Sequence, residues 1–205
     1  MTNKDTQIRT LTTTALMTAV LCVLGPMSLP IGPVPISLTN LALYFMVYIV
    51  GTRTSFFAYL LYMLLGLVGM PVFSGYAGGP QKLFGPTGGY IIGFLPMVLI
   101  MGTFISRYWR NRPACVAVME AATWIPYLLG TGWLAFSTGM SFRAALGAGV
   151  LPFVVLDLMK MCAAAVVAPM ICVRIRKAGV TAASPVWMEP ILRLSARSCS
   201  APAAM

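Results

Sequence analysis

No histidine occurs in this chain of 205 residues, and only four residues are acidic. Without histidine, neither an H-E-x-x-H metalloprotease helix nor a Ser-His-Asp triad can be assembled. The five cysteines (Cys22, Cys115, Cys162, Cys172 and Cys199) show no C-x-x-C spacing, so no zinc donor set is expected. A G-x-x-x-x-G-K-[ST] phosphate loop is also missing, which excludes ATP hydrolysis by that route. Charge is scarce: 9% of residues are charged, against about 25% in soluble domains, while 59% are hydrophobic. Such a chain cannot clothe a water-facing surface. It reads as an all-α integral membrane protein built as one helical domain.

The formal net charge of +10 does not point to nucleic acid, because the basic residues gather at the ends of apolar segments rather than on one polar face. Six such segments are expected to span the membrane: Leu11–Met27, Pro35–Val50, Ser55–Met70, Tyr90–Ile105, Ala114–Phe136 and Leu146–Val173. Lys4 and Arg9 ahead of the first one mimic a signal peptide. No A-x-A-like cleavage pattern follows Leu24, so a retained helix is expected. The second and third segments are short and could fuse through Gly51–Thr54 into one helix. Charge decides against fusion. With six spans and both termini in the cytoplasm, eleven basic residues lie inside and only Lys82 and Arg143 outside. Fusion would leave five spans and, with the N-terminus inside, put Arg107, Arg110 and Arg112 outside together with the basic cluster after the last span. Residues 1–177 then form the membrane domain, and 178–205, rich in Ala, Ser and Pro, are expected to be a poorly ordered cytoplasmic tail.

Two outer connections have unusual composition. Gly25–Pro35 carries four prolines and two glycines, and Pro71–Gly89 is dense in glycine with Val72, Phe73, Leu83 and Phe84 interleaved. Glycine permits close backbone approach and positive φ, and proline fixes the turns between. The second connection reads as a structured cap dipping toward the bundle; the plainer alternative is an ordinary solvated loop.

Inside the last span stand Asp157 and Lys160, one helical turn apart and so on one side of the helix. An ionisable group at mid-membrane costs about 2.5–3.5 kcal/mol on insertion scales and needs a partner or a wet cavity. Two readings stay open: a mutually neutralising ion pair, or a polar site for a solute with N–H donors and a carbonyl or anionic group. The first is weak, since a buried pair is rarely more stabilising than apolar packing. Glu120 is the other acid within a span; it is either a carboxyl near the inner headgroups or part of a proton relay. Ala15 and Ala19 form a small-x-x-x-small face on the first helix, suited to internal packing or to close approach by another helix.

Three stretches together carry a resemblance: GPVPISLTNLALYF, GMPVFSGYAGGPQKLFGPTGGYIIGF and DLMK in the last span. They resemble the biotin-specific S component of energy-coupling-factor transporters over roughly Leu11 to Lys177. The run G-x-x-G-G-x-x-x-L-x-G-P-T-G-G-Y, Gly75–Tyr90, is its most specific part. The resemblance implies a six-helix S-component fold in a bacterial cytoplasmic membrane. It implies biotin bound near the outer face, under the loops after the first and third helices. Asp157 and Lys160 would line that pocket, with Thr39, Phe73, Gly78, Gly79, Phe84 and Tyr90, and Tyr76 as a further apolar wall. Ala15 and Ala19 would dock a transmembrane coupling subunit, and two ATPase subunits would hydrolyse ATP, in keeping with the missing phosphate loop. No cofactor, metal or enzymatic activity of the chain's own is implied. Thr39 stands where the family usually has an amide side chain, so one ligand contact is missing or water-mediated; Asn40 next door could partly compensate, although it is expected to point to a different side of the helix. A self-sufficient transporter driven by protons or ions through Asp157, Lys160 or Glu120 is the alternative function. A membrane enzyme or assembly factor has no motif in its favour.

Overall fold

Among the described residues of the computed structural model, four helices are long and apolar enough to cross a bilayer: Gln7–Leu24, Gly88–Tyr108, Arg112–Thr138 and Phe142–Ile171, the last with a break inside it. The structure describes residues 3–29, 34–108 and 111–177. The proposed tail at 178–205 lies outside them.

In chain order, α1 spans Asn3–Leu24, and a two-residue strand β1 (Ser28–Leu29) pairs antiparallel with β2 (Ile36–Ser37). Then come α2 (Thr39–Val50), α3 (Thr52–Leu67) and a short α4 (Pro80–Phe84). The chain closes with α5 (Gly88–Tyr108), α6 (Arg112–Thr138), α7 (Phe142–Gly149) and α8 (Leu151–Lys177). The second and third apolar segments are indeed separate helices, because Gly51 takes φ 81° and ends one where the next begins. With 12 and 16 residues they are shorter than the four long helices. At ~1.5 Å per residue they reach roughly 18 and 24 Å, less than a ~30 Å hydrocarbon layer. The last expected span is split at Val150 into α7 and α8.

The core gathers Leu21 from α1, Leu43 and Tyr44 from α2, Tyr59 from α3, Met97 and Met101 from α5, Met119 from α6 and Met161 from α8. Unbranched methionines fill the irregular gaps between crossing helices. Helices α5 and α6 approach closely where Gly93 lies against Pro126; a Cβ on Gly93 would sit 2.6 Å from the Pro126 Cα. On α8, Ala164 and Ala168 are fully buried, giving α8 a narrow face toward the bundle. Its other side carries exposed Leu151, Val155, Met159 and Met170, the apolar surface a lipid-facing helix presents.

The segment between α3 and α5 is folded. Phe73 bridges to Ala77, its ring packs on Gly66, and Tyr76 occupies the left-handed region (φ 57°) at the tip. The Gly79 N–H donates to the Gly66 carbonyl at 2.7 Å, pinning the loop to the end of α3.

Candidate ligand-binding site

The buried acid of α8 is held from three sides. Asp157 is 0% exposed. Its Oδ1 accepts from the Lys160 ammonium at 3.0 Å; its Oδ2 accepts from the Asn40 amide at 2.8 Å and from the Tyr127 hydroxyl at 2.7 Å. Helices α2, α6 and α8 thus converge on one carboxylate. A charge in so dry a place is retained only with such partners, and hydrogen bonds to a charged group contribute about 1.5–3 kcal/mol each. Lys160 also donates to the Ser37 carbonyl at 3.2 Å, which ties α8 to the end of the β1–β2 hairpin. Just beside this cluster, the Tyr44 and Thr123 hydroxyls lie 2.8 Å apart and continue the polar contact between α2 and α6.

Above the pair lies a cavity of about 70 Å³. Its polar lining includes Ser37, Thr39, Asn40, Ser74, Thr87 and Lys160; its apolar walls include Val34, Phe73, Tyr90, Phe94 and Phe153. Lys160, with 15% of its side chain exposed, faces this space, whereas Asp157 stands behind it. The two charges therefore do pair, and Lys160 of that pair also lines the cavity.

The other expected residues divide. Thr39, Phe73 and Tyr90 line the cavity with Lys160. Tyr90 is fixed there by contacts from its hydroxyl to Thr131 at 3.3 Å and to the Gly149 carbonyl at 3.2 Å. Gly78, Gly79, Tyr76 and Phe84 do not line it. Tyr76 and Phe84 are 71% and 69% exposed, because the loop turns those rings outward while Phe73 goes inward. Gly78 is a packing position: a Cβ there would collide with the Met70 carbonyl. Gly79, at φ 89°, is the residue before α4 and sets the turn into it. In that short helix Lys82 is partly buried, which pushes its ammonium pKa down.

Sequence reasoning missed Tyr127 and the carbonyl of Ser37, and it weighed Asn40 only as partial compensation for Thr39. Asn40 was expected to face elsewhere, but it sits in the first turn of α2, immediately after the hairpin, and shares the cavity with Thr39. Tyr127 had no motif around it. The one usable signal was the rule that an intramembrane acid needs donors, applied to the polar residues of the other helices.

The loops close over the cavity through named bonds. The Gly75 N–H reaches the Pro26 carbonyl at 3.1 Å, joining the two outer connections. The Tyr62 hydroxyl donates to the Val72 carbonyl at 2.8 Å, and the Trp133 indole donates to the Gly85 carbonyl at 2.9 Å. On the far side of the molecule, Ala15 and Ala19 are exposed. Ala15 lies in a groove of about 690 Å³ between α1 and α3, lined also by Leu11, Thr14, Phe57, Leu60 and Leu61. Among the described residues no cluster of three metal-ligating side chains occurs.

The chain is similar to known proteins in sequence and in fold. Biotin transporter BioY2 of Lactococcus lactis subsp. cremoris is 38% identical over 162 residues, covering 77% of this chain and 86% of that protein. Biotin transporter BioY of Thermotoga maritima is 35% identical over 170 residues, covering 83% of this chain and 97% of the relative. Among solved structures, the S-component for biotin from an ECF-type ABC transporter superposes with a TM-score of 0.75 at 28% identity, covering 83% of this chain and 94% of that one. The BioY family itself matches residues 1–177, from the first helix through the end of α8. The chain therefore belongs to the BioY family.

Proposed function

We infer that this chain binds biotin from the outer side of a bacterial cytoplasmic membrane and serves as the substrate-specific subunit of an ATP-driven energy-coupling-factor transporter. The observation that carries this reading is the Lys160–Asp157–Asn40 cluster opening into a capped, apolar-walled cavity. Biotin presents a ureido ring with two N–H donors and a carbonyl, an apolar sulfur ring and a carboxylate-bearing chain. The cluster suits the polar ends, and Phe73, Tyr90 and Phe94 suit the ring and chain. In family members the biotin relatives supply the ligand's identity.

The cavity of about 70 Å³ is well below the roughly 300 Å³ at which ligand pockets begin. A ligand of biotin's size therefore needs more room than the cavity offers as it stands, and we propose that the capping loops provide it by moving outward. The six-span arrangement with both termini inside is kept as part of the proposal. It rests on the charge bias and on the separate helices at Gly51. Ala15 and Ala19, exposed beside the α1–α3 groove, are proposed to receive a helix of the transmembrane coupling subunit, with two ATPase subunits completing the assembly.

The reading is tested by titrating detergent-purified protein with biotin, desthiobiotin and an unrelated vitamin. Saturable binding of biotin and none of the unrelated vitamin is expected; equal binding of all three would overturn it. A self-sufficient proton- or ion-coupled transporter has one observation in its favour. Glu120 is a part-buried acid in α6 with no hydrogen bond or ion pair among the described residues. Vesicles carrying this chain alone decide: uptake that collapses with a protonophore and ignores ATP supports the alternative.

A further inference from the structure

The site of this chain has a threonine, Thr39, at the position where an amide was expected, yet the structure brings an amide to the cavity from the next residue. Asn40 is buried, and its Nδ2 donates to Asp157 Oδ2 at 2.8 Å. That bond fixes the orientation of the side chain, so Oδ1 points away from the carboxylate. Oδ1 makes no hydrogen bond among the described residues, but it is not sealed off either, since Asn40 lines the cavity. A buried amide oxygen left open toward a cavity is an acceptor waiting for a donor.

Beside it stands the Lys160 ammonium. It has three N–H donors, of which two are used, one on Asp157 and one on the Ser37 carbonyl. The cavity therefore presents an acceptor, Asn40 Oδ1, next to a remaining donor, Lys160 Nζ. Asp157, fully buried and absent from the cavity wall, stands behind both and orients them through Oδ1 to Lys160 and Oδ2 to Asn40.

We propose that Asn40 is a specificity-determining residue of this site: its Oδ1 accepts a ligand N–H while Lys160 donates to the carbonyl adjoining that N–H. The ligand class is a cyclic urea or lactam, in which an N–H donor and a C=O acceptor share one edge. This rests on the biotin reading and deepens it, because the ureido edge of biotin has that pattern. It also assigns the ring end of the ligand to α2 and α8. The site discriminates through the buried acceptor, which a ligand lacking the N–H leaves unpaired.

The test is a double-mutant cycle between protein and ligand. Wild type, Asn40→Leu and Asn40→Ala are titrated with biotin and with each of the two biotins mono-methylated on a ureido nitrogen, and folding is checked by thermal melting. Wild type is expected to bind one methyl isomer at least about 10-fold more weakly than biotin. In Asn40→Leu, which keeps the volume and removes the acceptor, that penalty falls to less than about twofold, although biotin itself binds more weakly. A merely supporting role for Asn40 gives a different result: all three ligands lose the same factor, and the methyl penalty survives in both variants. That result overturns the proposal. So does a penalty below about twofold for both methyl isomers in wild type, a measurement that needs no variant. Wild type that fails to bind biotin at all overturns the biotin reading first, and the role of Asn40 with it.

Discussion

Two carboxylates interrupt the apolar helices, and their surroundings could hardly differ more. Asp157 in α8 is fully enclosed and accepts from Lys160, Asn40 and Tyr127. Glu120 in α6, seven residues before Tyr127, is part-buried and has no hydrogen bond or ion pair among the described residues. Seven residues are two turns, or about 10 Å along the helix, so both acids belong to one side of the bundle. The lesson is that an acid in a membrane helix acquires its role from the donors that other helices bring to it. Asp157 organises three helices around itself; Glu120 organises nothing.

The contrast is broken most severely at Asp157. Replacing it by Leu removes the acceptor of Asn40 and Tyr127 and leaves Lys160 with the Ser37 carbonyl in place of a counter-charge. Biotin binding is expected to fall by more than about 100-fold, and folding stability by about 3–5 kcal/mol, as for one half of a buried pair. Calorimetric titration and thermal melting measure the two. Pairing that change with Lys160→Met is expected to restore part of the stability but none of the binding. Recovery of both would mean that the pair serves architecture alone.

Tyr127→Phe comes next, since it removes one hydrogen bond to Asp157 Oδ2 and little volume. Affinity is expected to drop by about 10-fold, in line with the lower end of a charge-assisted bond. An unchanged affinity would show that two donors suffice. Substituting Ala15 and Ala19 together by Leu fills the exposed face of α1. Biotin affinity of the isolated chain should stay within about twofold, while co-purification with the coupling subunit is lost through the blocked close approach. The smallest effect belongs to Glu120→Gln: affinity is expected to change by less than about twofold between pH 6 and pH 8. A larger or pH-dependent change would make the two acids partners and revive gradient-driven transport.

The apolar segments and the charged pair were legible because hydropathy and intramembrane charge are one-dimensional signals. The split at Gly51 was legible through charge bookkeeping alone: a fused helix would have placed Arg107, Arg110 and Arg112 on the wrong side. What sequence could not supply was facing. Phe73 and Phe84 belong to the same glycine-rich connection, yet one ring is buried and the other lies open. The difference comes from the bridge of Phe73 to Ala77 and from the packing of its ring on Gly66, contacts that no periodicity encodes. Asn40 was misjudged for a related reason: it occupies the first turn of α2, where the preceding hairpin sets the direction of the side chains. The hairpin itself, two residues on each strand, is too short to leave a pattern.

The bond from the Trp133 indole to the Gly85 carbonyl and the one from Gly75 to Pro26 form a clasp whose halves come from α6 and from both outer connections. Were a ligand to leave the cavity past these two bonds, it would depart no sooner than the clasp unfastens, however weakly it is gripped itself. Residence time then becomes a property of backbone carbonyls that never touch the cargo, and equilibrium affinity and escape rate can be tuned separately in the same small pocket.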